Sequence, residues 1–291
     1  MARIAKSLAI PDQGPESVKT ASGSSAISGL ARILVERTGI HLDNHRVSRM
    51  VVKVTRRMEE LSIPSIDGYL RVVQGDASEF QTFVHMMTVN KTNFFREIEH
   101  FRILDRFARE RASARPGSRF LAWSAAASTG EEAWTIGMVL HESLQAAHPR
   151  GDFRILGTDI NMRVLQAASD GVYTSRAVQG EVPPDLLRKY FEKGIGRNEG
   201  LYRVNSQLRS RAKFRHFNLM DPSGRPGVQF DAVFLRNVLI YFKPDDVMRA
   251  IQNVTASLLP GGMLFLGHCE ALPVKIPELE ALGHSTFRRV R

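Results

Sequence analysis

The sequence has a single cysteine, no apolar segment long enough to cross a membrane, and fewer acidic than basic residues. Cys269 alone excludes an internal disulfide and a cysteine cage for a metal, so we expect a reducing compartment, the cytoplasm. The stretch after Met1 lacks the apolar block of a signal peptide, and no direct membrane insertion is expected. Forty basic residues against thirty acidic ones give a formal net charge of +10, which predicts an acidic partner: nucleic acid, anionic lipid or a protein surface.

The first part of the 291-residue chain is predicted to be helical. Residues 1–26 are rich in Ser, Gly and Pro and are interpreted as a disordered tail. Residues 27–89 form a predicted helical domain, in which Gly39 ends one helix and Asp43 is the N-cap of the next. A linker and a connecting helix are expected over residues 90–115.

From residue 116 to 291, segments typical of strands alternate with segments typical of helices, which predicts an α/β domain with a parallel sheet. Residues 182–217 are interpreted as an inserted antiparallel β-subdomain, with glycines at the tip of a hairpin. Pro260, Gly261 and Gly262 are predicted to end a helix and lead into the last strand. The predicted strands of the large sheet are Phe120–Ser124, Arg154–Thr158, Phe230–Leu235 and Met263–Gly267.

The first predicted strand runs into a turn of small residues, and the following helix opens with Glu131 and Glu132. Ligands bind at this edge of an open α/β sheet. The two carboxylates would repel a pyrophosphate and attract a cation or sugar hydroxyls, so a positively charged nucleoside such as S-adenosylmethionine fits. The alternative is that both glutamates only complement the helix dipole. The turn contains only Gly130 and lacks G-x-G-x-x-G, which argues against nicotinamide and flavin cofactors.

Two further strand ends carry polar candidates for the same edge of the sheet. Asp159 follows the second strand and is predicted to bind ribose hydroxyls; alternatively it caps the helix that begins near Asn161. Arg236, Asn237 and Tyr241 follow the third strand and are predicted to face the pocket. Their alternative role is that of amphipathic boundary residues.

The segment after the last strand, His268-Cys269-Glu270, has neither metal-ligand spacing nor a paired base and nucleophile. We interpret it as pocket wall or packing, and no metal is predicted. A basic stripe covers about a third of one helix, at 100° per residue, and could present guanidinium groups to an anionic partner. The alternative is a solvated charged face. The stripe consists of Arg46, Arg49, Lys53, Arg56 and Arg57.

Five motifs follow one another along the chain: Asn-Lys-Thr-Asn-Phe-Phe-Arg-Glu (90 to 97), Trp-Ser-Ala-Ala-Ala-Ser-Thr-Gly-Glu-Glu (123 to 132), Thr-Asp-Ile (158 to 160), Phe-Leu-Arg-Asn-Val-Leu-Ile-Tyr-Phe (234 to 242) and Gly-His-Cys-Glu (267 to 270). Together they resemble the protein-glutamate O-methyltransferases of bacterial chemotaxis, the CheR family. The resemblance extends from about Ile27 to the C-terminus. It implies a Rossmann-like class I S-adenosylmethionine-dependent methyltransferase sheet with an N-terminal helical domain and a small β-subdomain.

The resemblance also implies roles for individual residues. Arg96 and Tyr241 would act in catalysis. The receptor would contact the basic stripe, and in some members a receptor C-terminal peptide adds a strand to the β-subdomain, here beside Gly194, Gly196 and Arg197. The implied cofactor contacts are Asn90, Thr92, Arg96, Ala126, Glu132, Asp159, Asn218, Leu219, Arg236 and Asn237.

The implied reaction is methyl transfer from S-adenosylmethionine to chemoreceptor glutamates, which leaves S-adenosylhomocysteine, and the simplest expectation is a monomer. Departures from the family pattern are small: many relatives have Cys in the Ser-Ala-Ala-Ala turn, Pro-Tyr in place of Ala133-Trp134, and Ser in place of Cys269. An alternative is a nucleic-acid methyltransferase, which the motif after the third strand disfavours because it lacks Pro-Pro and an aromatic there, so no nucleic acid is expected. A third hypothesis is a non-catalytic adaptor that binds the cofactor.

Overall fold

The computed structural model of the chain describes residues 15–148, 150–221, 226–272 and 274–290. Within them the chain divides into two compact units. The first unit comprises residues up to 36 together with 42–86, and the second comprises residues 37–41 and those from 87 onward. Residues 1–14 of the predicted tail lie outside the described residues.

The first unit is helical. Asp43 caps α2 as predicted, since its Oδ1 accepts a hydrogen bond from Arg46 N at 2.8 Å. Gly39 has a φ of 75° and follows the last residue of α1, which fits its predicted role as a helix stop. The helices described in and around this unit are α1 (Pro15–Thr38), α2 (Asn44–Glu60), α3 (Ile66–Gly75) and α4 (Ala77–Met87).

Helix α1 differs from the sequence expectation, because it begins at Pro15 and so includes residues predicted as tail. Ala26 is buried and continues the apolar face formed by Leu30, Ile33 and Leu34. This packing outweighs the low intrinsic helix propensity of the Ser and Gly residues in the segment. Helix α3 is an addition to the sequence prediction; Ser65 caps it by accepting from Gly68 N at 3.1 Å.

The second unit contains a large sheet of seven strands among the described residues. Their order is β6-β2-β1-β7-β8-β10-β9, in which the first five are parallel and the last two antiparallel. The strands are β1 (Phe120–Ser124), β2 (Phe153–Asp159), β6 (Ala212–His216), β7 (Phe230–Leu235), β8 (Leu258–Leu266), β9 (Leu279–Gly283) and β10 (Thr286–Arg289). The predicted parallel sheet is therefore confirmed, with two antiparallel strands added at one edge.

Helices cover both faces of the large sheet. In β7, Ala232 and Phe234 pack toward α5 and α6, while Val233 and Leu235 pack toward α11. This alternation follows from the two-residue period of a strand and explains why β7 is apolar on both faces. The helices that accompany the sheet are α5 (Ile98–Ala114), α6 (Glu131–Ala147), α7 (Met162–Asp170) and α11 (Pro244–Ala256).

The last predicted strand begins earlier than expected, at Leu258, and includes Pro260, Gly261 and Gly262. The prediction that these three residues lead out of a helix was wrong, since α11 ends at Ala256. Pairing with β7 shows a register shift between Phe230 and Ala232, opposite these residues. Gly261 has a φ of 81° there. An irregular bulge thus accommodates residues that usually break a strand.

A small antiparallel sheet with the strand order β3-β5-β4 forms the β-subdomain. It consists of β3 (Val172–Thr174), β4 (Phe191–Lys193) and β5 (Leu201–Val204), accompanied by the short helices α8 (Ser175–Val178), α9 (Pro184–Tyr190) and α10 (Ser206–Arg209). The sheet begins before the predicted insertion 182–217, and β6 within that range belongs to the large sheet. Among the described residues, no helix has the length and apolarity needed to cross a bilayer.

Candidate functional site

Backbone hydrogen bonds join the turn between β1 and α6 to β2 and β7, the two strands that flank β1. Ala125 N donates to Phe234 O at 2.8 Å, and Ala127 N donates to Thr158 O at 2.8 Å. Gly130 precedes α6 with a φ of 99°, and a Cβ at this position would lie 3.0 Å from the Ala168 Cα. Only glycine fits both constraints. The turn therefore lies at the carboxyl edge of the sheet, where the strand order reverses and α/β sheets bind ligands.

Asp159, at the end of β2, organises this turn. Its carboxylate accepts from Ser128 N at 2.9 Å and from Asn161 N at 3.0 Å. Burial raises the pKa of Asp159, although these backbone donors oppose the shift. The N-cap of α7 is Asn161, whose side chain accepts from Arg163 N, so the alternative assignment of Asp159 as that cap was wrong. Ser128 Oγ also donates to Asn90 O at 3.1 Å, which brings the predicted residue Asn90 to the same turn.

Arg236 connects most of the other predicted residues. Its side chain is buried, and its Nη2 donates to Arg96 O at 2.5 Å and lies 3.2 Å from Glu97 Oε2. On the other side, Arg236 Nη1 lies 3.5 Å from Glu132 Oε2. Ser124 Oγ donates to Glu132 Oε1 at 2.6 Å. Residues from β1, α6, β7 and the segment before α5 thus meet around one guanidinium.

The two adjacent glutamates of α6 have different environments. Glu132 faces Arg236; burial raises its pKa, and the Arg236 guanidinium opposes that shift. Glu131 is also buried, but its Oε2 accepts from Thr129 Oγ1 at 2.6 Å. Burial raises the pKa of Glu131 as well. Of the pair, Glu132 belongs to the Arg236 cluster, and its contact with the cofactor stays a prediction.

Glu270 holds the loop that follows β7. Its buried carboxylate accepts from Gly267 N at 2.7 Å, Asn237 N at 2.8 Å and Leu239 N at 2.7 Å. Asn237 has a φ of 58°, an unusual backbone conformation for a residue other than glycine. Glu270 therefore links the backbone at Asn237 and Leu239 to Gly267, the residue that follows β8. We interpreted it from the sequence as wall or packing, and the structure gives it a specific positioning role.

Four residues with positive φ other than glycine belong to the segments that build this site. They are Phe95 (53°), Glu97 (59°), Ser128 (49°) and Asn237 (58°). Such conformations cost about 1–3 kcal/mol each and concentrate at functional sites. Their position in the motifs that carry the predicted cofactor contacts supports a binding function for this edge of the sheet.

The remaining predicted residues lie in the same unit with varied roles. Asn218 Nδ2 donates to Arg37 O at 2.7 Å, and Leu219 is buried. Arg96 is half-buried, and its Nη1 donates to Lys91 O at 3.2 Å. Tyr241 is half-buried and ends a 3-10 turn, Leu239–Tyr241. Thr92 and Ala126 are half-buried.

The basic stripe of α2 divides into exposed and engaged side chains. Arg49, Lys53 and Arg56 are exposed, although Lys53 Nζ donates to Met86 O and Arg56 Nε lies 3.5 Å from Glu60 Oε1. Arg57 instead donates to both carboxylate oxygens of Glu79, at 3.0 and 2.7 Å, and Glu79 also accepts from Tyr69 OH at 2.8 Å. This network stabilises the helical unit, so Arg57 has a structural role that its position in the stripe did not reveal.

Comparison with known proteins identifies the family. Residues 90–287 match the family model described as CheR methyltransferase, SAM binding domain, and residues 25–88 match the one described as CheR methyltransferase, all-alpha domain. The chain belongs to the CheR methyltransferase family. It is a methyltransferase that depends on S-adenosylmethionine, with the class I fold and the N-terminal helical domain that its sequence predicts.

Curated relatives of this CheR protein share about a third of its residues over most of their length. The chemotaxis protein methyltransferase of Escherichia coli K12 is 34% identical over 243 residues, which cover 83% of this chain and 82% of that protein. The Klebsiella aerogenes protein of the same name is 35% identical, with 83% and 81% covered. Chemotaxis protein methyltransferase 2 of Pseudomonas aeruginosa PAO1 is 35% identical, with 81% and 83% covered.

The chemistry of this edge fits the cofactor of CheR proteins. Glu97, Glu132 and Asp159 bring three carboxylates to the edge, against the guanidinium groups of Arg96 and Arg236. An excess of carboxylates favours a ligand with positive charge, and S-adenosylmethionine carries a sulfonium and an ammonium group. Glu97 has no role in the predictions from the sequence. Its position directly after Arg96, in a motif that carries predicted cofactor contacts, is the signal that could have indicated a role for Glu97.

Replacing Glu270 with Gln should weaken S-adenosylmethionine binding about tenfold, equivalent to about 1.4 kcal/mol. An amide has one acceptor oxygen, so its NH₂ group would face a backbone N–H that now donates to the carboxylate. Calorimetric titration measures the change. Glu280→Gln, an exposed change on β9, is the matched control. Equal affinities of both variants would contradict the positioning role.

Proposed function

We propose that this protein transfers the methyl group of S-adenosylmethionine to glutamate side chains of chemoreceptors and forms methyl esters that serve chemosensory adaptation. The observation that carries the proposal is membership of the CheR family, with relatives named chemotaxis protein methyltransferases at 34–35% identity over most of their length. The polar residues around Arg236 support it, because their carboxylates would bind a cationic cofactor such as S-adenosylmethionine.

The proposed cofactor contacts combine charge and backbone geometry. Glu132, Asp159 and Asn237 would bind the polar groups of the cofactor, while Asn90 and Arg236 orient the loops around it. Thr92, Ala126, Asn218 and Leu219 complete the proposed contacts. When bound, S-adenosylmethionine supplies a methyl group activated by the adjacent sulfonium.

The acceptor needs orientation more than activation. A glutamate side chain with a pKa near 4.3 is already an anion at neutral pH, so a general base is not required. Arg96 is the proposed partner of the incoming carboxylate or of the cofactor carboxylate, and Tyr241 would orient the methyl group or the acceptor. In-line alignment of the reacting atoms can lower a barrier by about 7–11 kcal/mol in favourable cases.

Recognition of the receptor is proposed to use two surfaces, one in each unit. The exposed cations Arg49, Lys53 and Arg56 of α2 would attract an acidic receptor body. In the β-subdomain, β4 is an edge strand beside the loop that contains Gly194, Gly196 and the exposed Arg197. An extended receptor peptide could add a strand there. We also propose a cytoplasmic monomer, which the exposed thiol of Cys269 fits.

Incubation with methyl-labelled S-adenosylmethionine and chemoreceptor membranes from the same organism should label a receptor band. Mild base should release the label as methanol, because methyl esters hydrolyse and methylated amines or bases do not. Label in RNA or DNA that resists base would reject glutamate esterification in favour of a nucleic-acid methyltransferase. Tight cofactor binding without label in any receptor would favour a non-catalytic adaptor.

The adjacent glutamates of α6 provide a matched test of the cofactor site. Glu132→Gln should weaken S-adenosylmethionine binding about 10- to 100-fold, because it removes a charge that faces Arg236 and attracts the cationic cofactor. Glu131→Gln should change affinity little, since the Glu131 carboxylate accepts from Thr129 Oγ1 and does not face Arg236. Calorimetry on both variants decides; equal losses would show that the assignment of Glu132 is wrong.

Charge reversal on α2 tests the receptor surface. The double change Arg49→Glu and Arg56→Glu should raise the KM for receptor about tenfold, and more at low salt, because two exposed attractions become repulsions. The S-adenosylmethionine affinity should stay unchanged. Arg71→Glu, an exposed reversal on α3, is the control. A similar KM increase in that control would point to net charge instead of a specific surface.

A further inference from the structure

Glu97, His100 and His268 bring three potential metal ligands together beside the Arg236 cluster. Glu97 is the N-cap of α5 and His100 lies in its first turn, and Glu97 Oε2 lies 3.5 Å from His100 Nδ1. His268 follows β8. The ligand atoms of the three residues lie within 4.8 Å of one another.

The contacts of His100 determine which ring nitrogen faces Glu97. His100 Nε2 lies 2.6 Å from the carbonyl oxygen of His284, which can only accept, so Nε2 carries a hydrogen. His100 Nδ1 lies 3.5 Å from Glu97 Oε2. In the neutral ring, Nδ1 then points a lone pair at that carboxylate oxygen.

Two acceptors that face each other need a positively charged or donating group between them. Within the described part of the chain, His100 Nδ1 is buried and has no hydrogen-bond partner. Glu97 Oε2 faces it at 3.5 Å and is also paired with Arg236 Nη2 at 3.2 Å. A buried polar atom normally finds a partner in a folded protein. A proton, a water molecule or a metal ion would each satisfy His100 Nδ1, and the surrounding geometry distinguishes among the three.

Two of the three distances are close to those of a zinc site. Bonds of about 2.1 Å in a tetrahedral site separate neighbouring ligand atoms by about 3.4 Å. The observed separations from Glu97 Oε2 are 3.5 Å to His100 Nδ1 and 3.9 Å to His268 Nε2. All three ligand atoms lie within 4.8 Å of one another, so binding would draw the half-exposed His268 side chain inward. Metal-ligating histidines typically donate their other N–H to a carbonyl, as His100 does to His284.

The charge around the cluster also favours a cation. The Glu132 carboxylate interacts electrostatically with those of Glu97 and Glu270, near the guanidinium of Arg236. A metal on Glu97 Oε2 would share that oxygen with Arg236 Nη2, which lies 3.2 Å away. Glu97 Oε1 accepts from Asn237 Nδ2 at 3.3 Å. A metal ion would therefore compete with Arg236 for Glu97 and disturb two of the proposed cofactor contacts.

We propose that Glu97, His100 and His268 bind a divalent cation of the zinc class, with a fourth position left for water, and that this cation weakens binding of S-adenosylmethionine. The two histidines and one carboxylate provide the ligand set that zinc accepts in sites with an open position. The site lies outside the set of residues proposed to bind the cofactor, and it acts on that set through Glu97.

Titration of the untagged, chelator-treated full chain with Zn²⁺ against a chromophoric chelator should show one site. His268→Ala should lower its affinity at least about 100-fold, since even the loss of a group behind a ligand costs about 10- to 100-fold. Two variants should retain the site: His45→Ala, which removes an exposed histidine of α2, and Cys269→Ser, which removes the neighbouring thiol. Mg²⁺ at equal concentration should not displace Zn²⁺.

Saturating Zn²⁺ should raise the Kd for S-adenosylmethionine at least about fivefold in the wild-type chain and leave the His268→Ala variant unchanged. Equal Zn²⁺ affinities of the wild-type chain and His268→Ala would overturn the site and assign a proton or water to the space beside His100. Loss of binding in Cys269→Ser alone would instead identify a thiolate site. An unchanged Kd for the cofactor in the metal-bound wild-type chain would overturn the antagonism.

Discussion

The guanidinium of Arg236 is the group on which the arrangement of the site depends. A buried cation without partners is costly by several kcal/mol, so the chain must bring compensating groups to it. Glu97 and Glu132 provide opposite charges at 3.2 and 3.5 Å, and the Phe101 ring lies 5.5 Å from the guanidinium carbon. Because these residues come from separate segments, satisfying Arg236 fixes the start of α5 and the first turn of α6 against the end of β7.

The loops around Arg236 adopt conformations that the large sheet must support. Asn237 and Ser128 both have positive φ, and each donates its backbone N–H to a carboxylate, that of buried Glu270 and that of half-buried Asp159 respectively. A carboxylate that accepts several N–H groups offsets the strain of a left-handed residue, since charged acceptors make the stronger hydrogen bonds. Two acidic side chains therefore shape the loops, while Glu132 keeps its place beside Arg236.

Elements of the fold could be predicted where the sequence of a single segment was enough to define a helix or strand. Strands β1 and β7 have the predicted bounds because both are short apolar runs between clear boundaries. The start of β8 was wrong because a bulge accommodates Pro260 within a strand, and bulges depend on the partner strand. The roles of Glu270 and Arg57 could not be predicted, since their partners lie 31 and 22 residues away in sequence, respectively.

The charge of the chain shows why composition alone could not identify its ligands. The net charge of +10 indicated an acidic partner, yet the candidate cofactor site has more carboxylates than cations. The two facts agree once the charges are separated by location: Arg49, Lys53 and Arg56 are exposed on α2, whereas Glu97 and Glu132 are largely buried around Arg236. Exposed cations act over a Debye length on a macromolecule, while buried carboxylates act on a bound small cation with little screening. One chain can therefore attract an acidic protein surface and a cationic cofactor without either attraction cancelling the other.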